Sequence, residues 1–333
     1  MREAIYYDKK AGGIVSCRLC PKYCVISPGQ SGFCRIRHNK DGLLYATGYG
    51  RAASCGLDPI EKKPLYHFYP GARILSFGAS GCNFHCEFCQ NWTTVHNNPE
   101  TARLTPEKAV SLAVEANGDD APNAGIAYTY SEPLVWYEFV LETARQARAA
   151  GLKNVLVTNG YINETPLKEL LPYIDAMNID VKGFTEGFYR KYCAGAMAPV
   201  LRTVEIALEQ NCHVELTTLL ITGLNDSPEE IQQLVAWTAS LDSEIPIHLS
   251  RYFPNYKMDL PATSLATLKM AEGIARNKLS YVYLGNAPEL GGQNTYCPSC
   301  GNLLINRTGY RTQLVDLHDK ECGNCGKKIN IRL

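Results

Sequence analysis

Residues 81–92 read Gly81-Cys82-Asn83-Phe84-His85-Cys86-Glu87-Phe88-Cys89-Gln90-Asn91-Trp92 and carry the most informative motif of this chain of 333 residues. Three thiolates packed this closely can hold three corners of an iron–sulfur cube. Because a [4Fe–4S] cluster normally has four cysteine ligands, one iron would stay open for a substrate or cofactor. The alternative is a zinc site on the same cysteines. Zinc sites usually close tetrahedrally, and His85 or His96 could be the fourth ligand.

The composition is that of an ordinary globular protein, with 45% hydrophobic and 20% charged residues. Lys+Arg and Asp+Glu both number 33, so the net charge gives no support for a nucleic-acid partner or an anionic membrane. The N-terminus, Met1–Tyr7, lacks the apolar core of a signal peptide, and no apolar run approaches transmembrane length. We therefore expect a cytoplasmic protein that binds neither a membrane nor nucleic acid.

The chain has 14 cysteines, which in a cytoplasmic protein indicate metal ligands before disulfides. Two groups flank the central motif: Cys17, Cys20, Cys24 and Cys34, and Cys297, Cys300, Cys322 and Cys325. The C-terminal group consists of two C-x2-C pairs, which is the four-thiolate pattern of zinc ribbons and rubredoxins. It predicts a closed Zn²⁺ site, with iron as the alternative. The N-terminal spacing, C-x2-C-x3-C-x9-C, predicts a second four-ligand site but does not indicate its metal.

From Arg73 onward, short apolar runs alternate with longer amphipathic ones, which predicts β–α–β units. The predicted strands are Arg73–Phe77, Gly125–Tyr130, Asn154–Val157, Ala176–Val181, His213–Ile221, Pro246–Leu249 and Tyr281–Leu284. The predicted helices are Pro106–Ala116, Pro133–Ala150, Pro166–Leu171, Pro199–Gln210, Pro228–Ser240 and Leu265–Asn277. Thr105-Pro106, Thr165-Pro166 and Ser227-Pro228 are start signals for three of these helices. Right-handed crossovers then give a parallel sheet, either wound on both faces or curled into a barrel.

The C-x3-C-x2-C loop, with Phe88 directly before the third cysteine, resembles the signature of the radical S-adenosylmethionine (SAM) enzymes. The resemblance implies an α/β fold with a partial (β/α)6 barrel and the cluster loop after its first strand. SAM would bind the open iron through its amino and carboxylate groups. Reductive cleavage would yield methionine and a 5′-deoxyadenosyl radical, with flavodoxin or ferredoxin as the electron donor. The change of pattern near Arg73, the resemblance and the C-terminal cysteine pairs together divide the chain into a cysteine-rich segment (1–70), a radical SAM core (71–290) and a zinc-ribbon-like module (291–333).

The likeness extends over nearly the whole chain. Together with Cys17–Pro21, Gly32–Arg37, Cys86–Trp92 and the C-terminal ribbon, it resembles the AmmeMemoRadiSam-system radical SAM enzymes, which are relatives of pyruvate formate-lyase activating enzyme. This resemblance implies a protein substrate that loses a hydrogen atom from a backbone glycine. A small-molecule substrate is the alternative, and a non-catalytic metal-binding adaptor is a third reading from a different class.

Several later segments resemble parts of a SAM pocket. Tyr130, Ser131 and Glu132 stand where the family has Gly-Gly-Glu, whose backbone binds the amino group of SAM. Thr158 and Asn159 resemble a turn that helps to hold its carboxylate, and Asp180 and Lys182 resemble a motif near its methionyl end. His248 and Asn286 are predicted contacts of adenosine or substrate. The structural alternatives are a helix cap at Ser131, an Asn-Gly turn, a strand-end ion pair and a structural histidine.

One further thiol lies outside the three cysteine groups. Cys193 follows the strand that carries Asp180. It could donate a hydrogen atom to a radical, or it could be a small buried residue, as free cysteines commonly are.

Overall fold

The computed structural model describes residues 1–97, 99–118 and 122–333. Its N-terminal part contains short strands: β1 (Arg2–Glu3), β2 (Tyr7–Lys9), β3 (Val15–Cys17), β4 (Val25–Ile26), β5 (Arg37–Lys40), β6 (Leu43–Ala46) and β7 (Arg51–Ala52). Strands β1, β6 and β5 form one antiparallel sheet, and β2, β3 and β4 form another. The four N-terminal cysteines therefore belong to a small layer of short antiparallel strands.

The core is one eight-stranded sheet. The next strands in chain order are β8 (Ser54–Pro59), β9 (Arg73–Gly78), β10 (Ala102–Arg103), β11 (Asn123–Tyr128), β12 (Lys153–Thr158), β13 (Ala176–Asp180), β14 (His213–Leu220), β15 (Ile247–Arg251) and β16 (Val282–Gly285). Across the core sheet their order is β16-β15-β14-β13-β12-β11-β9-β8. Short β10 pairs with β7 instead of joining the core. All neighbours from β9 to β16 are parallel, whereas β8 is antiparallel to β9. The edge strands are β8 and β16, so the predicted partial barrel is confirmed and is open.

The helices are α1 (Trp92–His96), α2 (Pro106–Glu115), α3 (Tyr137–Ala149), α4 (Glu164–Leu170), α5 (Glu186–Phe188), α6 (Ala198–Glu209), α7 (Pro228–Leu241) and α8 (Leu265–Arg276). Helices α2, α3, α4, α6, α7 and α8 connect successive parallel strands, which makes six β–α units followed by a seventh strand. Within the described ranges, no helix has the length and apolarity needed to cross a bilayer.

Two of the three predicted helix starts are confirmed. The Thr105 hydroxyl accepts from the Lys108 amide at 3.2 Å, and the Ser227 hydroxyl accepts from the Glu230 amide at 3.2 Å. The third start lies earlier than predicted. Helix α4 begins at Glu164, after the extended Asn163 (φ −76°, ψ 154°). Pro166 is tolerated there because the first helical turn leaves its amides without intrahelical partners.

The C-terminal module closes the end of the barrel where the strands begin. It contains β17 (Thr295–Tyr296), β18 (Leu303–Thr308), β19 (Arg311–Leu314), β20 (Leu317–His318) and β21 (Glu321–Cys322). The buried Arg307 guanidinium donates to the Tyr66 carbonyl at 2.8 Å and to the Thr295 hydroxyl at 2.8 Å. On the other side, the Tyr66 amide donates to buried Glu215 of β14 at 3.0 Å. The segment around Tyr66 is thus fixed between the barrel and the module.

The structure also bears on the predicted segment 1–70. Strand β8 lies within that segment but pairs along its whole length with the first parallel strand, from Ser54↔Gly78 to Pro59↔Arg73. The last part of the segment thus contributes to the core sheet. The three-part division itself stays a prediction.

Candidate active site

A cavity of about 410 Å³ opens at the carboxyl ends of the parallel strands, where ligand sites of parallel α/β folds generally lie. All the predicted cluster and cofactor residues except His248 line it: Cys82, Cys86, Cys89, Tyr130, Ser131, Glu132, Thr158, Asn159, Asp180, Lys182 and Asn286. The strand-end motifs are far apart in the sequence. They converge because parallel strands end at the same edge of the sheet.

The cysteine loop follows β9 directly and is tied down at both ends. Gly78 ends the strand and packs closely against the neighbouring backbone. A larger residue would not fit there, because its Cβ would lie only 2.8 Å from the Thr129 carbonyl oxygen. Further on, the His85 amide donates to the Cys193 carbonyl at 3.0 Å, and the Glu87 amide donates to the Tyr192 carbonyl at 3.0 Å. The loop therefore has a fixed backbone, which holds its three thiols around one cavity.

The Cys82 sulfur accepts two hydrogen bonds. The Phe84 amide donates to it at 3.3 Å, and the Asn159 side-chain amide donates at 3.5 Å. The same Asn159 amide donates to the Asn83 side chain at 2.9 Å. Hydrogen bonds to ligand sulfur are among the features that set the potential of an iron–sulfur cluster. Asn159 thus couples the end of β12 to the cysteine loop.

Without a metal, the surroundings raise the pKa of all three thiols above the ordinary value of a cysteine. Burial raises the pKa of Cys89 to about 11 and that of Cys82 well above its usual range. For Cys86, a hydrogen bond with the Cys193 thiol and then burial raise the pKa. Because metal ligation requires thiolates, the positive charge that stabilises them here would come from the bound metal.

The single-zinc alternative gains no support from the geometry. His85 stacks on Phe33, with ring centroids 3.9 Å apart, and His96 stacks on Tyr256 at 5.2 Å. Among residues 1–97, 99–118 and 122–333, the group of possible ligands that lies within 4.8 Å of one another is the C-terminal set of four cysteines. A single ion needs its ligands that close together. In the described chain, the central cysteines are therefore not gathered as ligands of a single ion.

Glu132 organises the neighbouring strand ends. One carboxylate oxygen accepts from the Thr158 hydroxyl at 2.6 Å and from the Leu134 amide at 2.9 Å, and the other accepts from the Asn159 amide at 2.8 Å. Burial raises its pKa to about 7, although these donors oppose the shift. The residue immediately before it, Ser131, has a buried hydroxyl without a partner in the described structure, and that hydroxyl belongs to a residue lining the cavity.

Asp180 and Lys182 form an ion pair at the end of β13, with 2.7 Å between Nζ and Oδ2. Burial acts against the charged lysine, but the Asp180 carboxylate beside it raises the pKa of Lys182 above its ordinary value. The predicted strand-end ion pair is therefore present. Because Asp180 and Lys182 also line the cavity, the structural and the functional interpretations are both compatible with this geometry.

Two further basic residues at the cavity, Lys62 and Lys63, were not predicted from the sequence. Lys62 and Lys63 line the cavity, and the buried Lys63 ammonium lies 2.6 Å from Asp58 and 4.5 Å from the centre of the Tyr130 ring. Tyr130 itself has a left-handed backbone (φ 65°) and donates its hydroxyl proton to Asp58. Asp58 lies only four and five positions before these lysines, but the Tyr130 ring that brings Lys63 to the cavity comes from a distant part of the chain.

Two predicted residues lie outside the cavity. His248 donates through Nε2 to the Glu215 carboxylate at 2.7 Å and stacks on Tyr283. It therefore sits deeper in the barrel, in the polar layer beneath the cavity. Cys193 is fully buried against Cys86 and is not part of the cavity lining.

The outer cysteine groups occupy separate places. In the C-terminal module, the sulfurs of Cys297 and Cys325 lie 3.6 Å apart and those of Cys300 and Cys322 lie 3.7 Å apart. All four ligand atoms lie within 4.8 Å of one another, so the predicted four-cysteine site is formed. The N-terminal Cys17, Cys20, Cys24 and Cys34 line one small cavity of about 20 Å³ beside the central loop.

Comparisons with known proteins agree with this geometry. The sequence profile of the radical SAM superfamily matches residues 78–237. An uncharacterised protein from Methanocaldococcus jannaschii is 44% identical over 341 residues, with 100% of both chains covered. The pyruvate formate-lyase 1-activating enzyme of Escherichia coli K12 is 22% identical, over 55% of this chain and 75% of that protein.

Two further relatives extend the comparison. The 4-hydroxyphenylacetate decarboxylase activating enzyme of Clostridium scatologenes is 23% identical over 45% of this chain and 51% of its own length, so the match spans about half of that protein. Among solved structures, Streptococcus suis SuiB bound to S-adenosylmethionine superposes with a TM-score of 0.51, at 14% identity, over 68% of this chain and 55% of that one. This last likeness concerns the fold.

Proposed function

The chain belongs to the radical SAM superfamily, and from that premise we propose that it cleaves SAM reductively and uses the resulting radical to remove a hydrogen atom from a substrate. One observation carries the proposal. Three cysteines in the superfamily spacing and a buried, unpartnered Ser131 hydroxyl meet in one cavity of about 410 Å³. That volume lies near the lower end of the range for small-molecule sites.

Membership of the superfamily implies a [4Fe–4S] cluster and SAM, and the residues present fit both. Cys82, Cys86 and Cys89 would hold the cluster, which supplies the electron that breaks SAM into methionine and a 5′-deoxyadenosyl radical. Three cysteines are one fewer than such a cluster normally has, so SAM has a place on it. A flavodoxin- or ferredoxin-type donor would supply the electron.

The chain's own polar groups would orient SAM. Ser131, whose buried hydroxyl has no partner in the described structure, and the Asp180–Lys182 ion pair belong to residues that line the cavity, so they are the polar groups nearest to SAM. Glu132 acts on SAM indirectly, because its carboxylate is already occupied by Thr158 and by two backbone amides. Its role is to hold the ends of β11 and β12 in register beside the cluster loop.

The leading candidate for the substrate is a backbone glycine of a partner protein, as the activating enzymes among the relatives suggest. The cavity size supports this choice, because SAM would take up much of a space of about 410 Å³. A substrate group would then have to reach in from the mouth, which suits a projecting loop of a protein. A small molecule that binds at the mouth is the second candidate.

The C-terminal four-cysteine site would hold a structural metal. We propose Zn²⁺ for the C-terminal cysteines, because closed four-cysteine sites are typically structural zinc sites and this module contributes no residue to the cavity lining. A cytoplasmic location also stays a proposal. A purely non-catalytic adaptor would use the cysteines alone and would leave the polar cavity without a purpose.

Release of 5′-deoxyadenosine tests the proposal. The protein is reconstituted anaerobically with iron and sulfide, and dithionite and SAM are added. We expect 5′-deoxyadenosine from the wild type and from Cys55→Ala, whose thiol is exposed on β8, but none from Cys86→Ala. A wild type that carries the cluster yet releases none would favour the adaptor. Deuterium transfer into 5′-deoxyadenosine, from glycine-labelled partner proteins or from labelled small molecules, would then identify the substrate class.

A further inference from the structure

The four N-terminal cysteines form one enclosed group next to the cluster loop. Cys17 ends β3 and is buried, and Cys34 is buried as well. Their cavity of about 20 Å³ is also lined by four apolar side chains (Leu19, Ile26, Phe33 and Val135) and by three polar ones (Lys22, Arg37 and Asn83). The Phe33 amide donates to the Cys24 sulfur at 3.4 Å, which repeats the amide-to-sulfur bond seen at Cys82. The group is thus a dry four-thiol site with a backbone donor.

The spacing of these thiols is unlike that of the zinc-type site. In the C-terminal module, all four sulfurs lie within 4.8 Å of one another, whereas the N-terminal group does not meet this condition in the described chain. The three central cysteines share that wider arrangement. Four cysteines that surround a centre too widely for one ion match the ligand set of a [4Fe–4S] cluster.

The N-terminal group is in direct contact with the central loop. Asn83, the residue after Cys82, lines the N-terminal cavity. Phe33 stacks on His85 of the central loop at 3.9 Å. The ammonium of Lys22 lies 3.9 Å from the centre of the Phe33 ring and donates to the carbonyl of Ala194. Side chains of the two sites therefore touch without an intervening layer.

Lys22 also connects the two groups electrostatically. Lys22 lines the N-terminal cavity, and its ammonium lies over the Phe33 ring, which stacks on His85 of the central loop. A positive charge between two clusters would stabilise the reduced form of each, because reduction adds negative charge.

We propose that Cys17, Cys20, Cys24 and Cys34 bind a second [4Fe–4S] cluster, which passes one electron to the cluster at Cys82, Cys86 and Cys89. A low-potential one-electron donor reduces the second cluster from the 2+ to the 1+ state. Transfer of that electron returns it to 2+, so one donor electron is used for each SAM cleaved. The electron transfer rests on the proposed function, whereas the presence of the second cluster does not.

Metal analysis of a variant that lacks the central ligands tests the site itself. The triple variant Cys82→Ala/Cys86→Ala/Cys89→Ala keeps the N-terminal residues unchanged and is reconstituted anaerobically. We expect about four irons and about four sulfides per chain, and an electron paramagnetic resonance (EPR) signal after reduction with dithionite. About one zinc per chain is expected from the C-terminal four-cysteine site; a second zinc per chain in place of the iron, or no iron at all, would overturn the proposal. If the variant holds the cluster but the wild type releases no 5′-deoxyadenosine, the proposed function fails and the second cluster stands.

A redox titration tests the electron transfer. In Lys22→Met, the midpoint potentials of both clusters should become more negative, whereas Lys40→Met, which alters an exposed lysine, should leave both unchanged. The fully reduced wild type should also show an EPR spectrum that differs from the sum of the two single-cluster variants, because neighbouring spins interact. A spectrum that equals the sum would contradict the transfer between the clusters, because it would mean that they lie too far apart for their spins to interact.

Discussion

Glu132 should make the stability of the cluster-free protein depend on pH, and Glu132→Gln should remove that dependence. The carboxyl is 3% exposed, and burial raises its pKa from 4.5 to about 7. The folded protein therefore holds this proton more tightly than the unfolded chain does. The contribution of Glu132 to stability is complete below about pH 4.5 and is lost as the pH rises through about 7. The loss amounts to about 3 kcal/mol.

Urea unfolding at about pH 5 and about pH 8 measures this effect in wild type and variant. Near pH 5, protonated Glu132 and a glutamine each present one acceptor oxygen and one donor, so the two proteins should have similar stability. Near pH 8, the variant should be the more stable of the two by about 3 kcal/mol. Glu115→Gln, on an exposed position of α2, should follow the wild type at both pH values. Parallel pH profiles for wild type and Glu132→Gln would refute the reasoning.

Three other changes have expected outcomes. Asn159→Ala removes the amide that donates to the Cys82 sulfur and to buried Asn83, so it should cost about 1–3 kcal/mol in urea unfolding and should speed the bleaching of cluster absorbance by a chelator. Lys63→Met leaves the Asp58 carboxylate with an exposed lysine as its remaining cation; it should lower the free energy of unfolding by about 1–3 kcal/mol and should weaken SAM binding measured by calorimetry. Removal of the metal from the C-terminal module should unfold the module, because such metals contribute on the order of 10 kcal/mol; protease digestion should then cleave after about residue 290, whereas an unchanged digest would contradict a structural metal.

The sequence was most informative where a motif coincides with the end of a strand. The predicted strands carry apolar runs that are buried on both faces, as parallel strands usually are, and their order along the chain matches their order in the sheet. Thr158 and Asp180 end adjacent strands. Once a parallel sheet was predicted, their convergence on one cavity followed from topology.

Depth within the barrel could not be predicted. His248 and Ser250 are two positions apart on β15, so their side chains point to the same face of the sheet. Ser250 lines the cavity, whereas His248 lies one layer below and pairs with Glu215. Periodicity gives the face of a strand but not the height at which the polar layer gives way to the cavity.

Contacts between distant segments were equally hidden. Lys63 pairs with Asp58 from the preceding strand and lies over the ring of Tyr130, which is 67 positions further along the chain. Asn83 belongs to the cysteine loop, but its place between two cysteine groups depends on how the N-terminal layer packs against the barrel. Such packing is set by tertiary contacts, which leave no local pattern.

The central claim is that the iron left without a cysteine ligand binds SAM. EPR spectroscopy of the dithionite-reduced protein tests it most directly, with spectra recorded before and after addition of SAM. We predict a shift in the signal of the cluster held by Cys82, Cys86 and Cys89, and no shift in the variant that lacks these three ligands. A spectrum that SAM leaves unchanged, in a protein whose central cluster is fully assembled, would contradict the account.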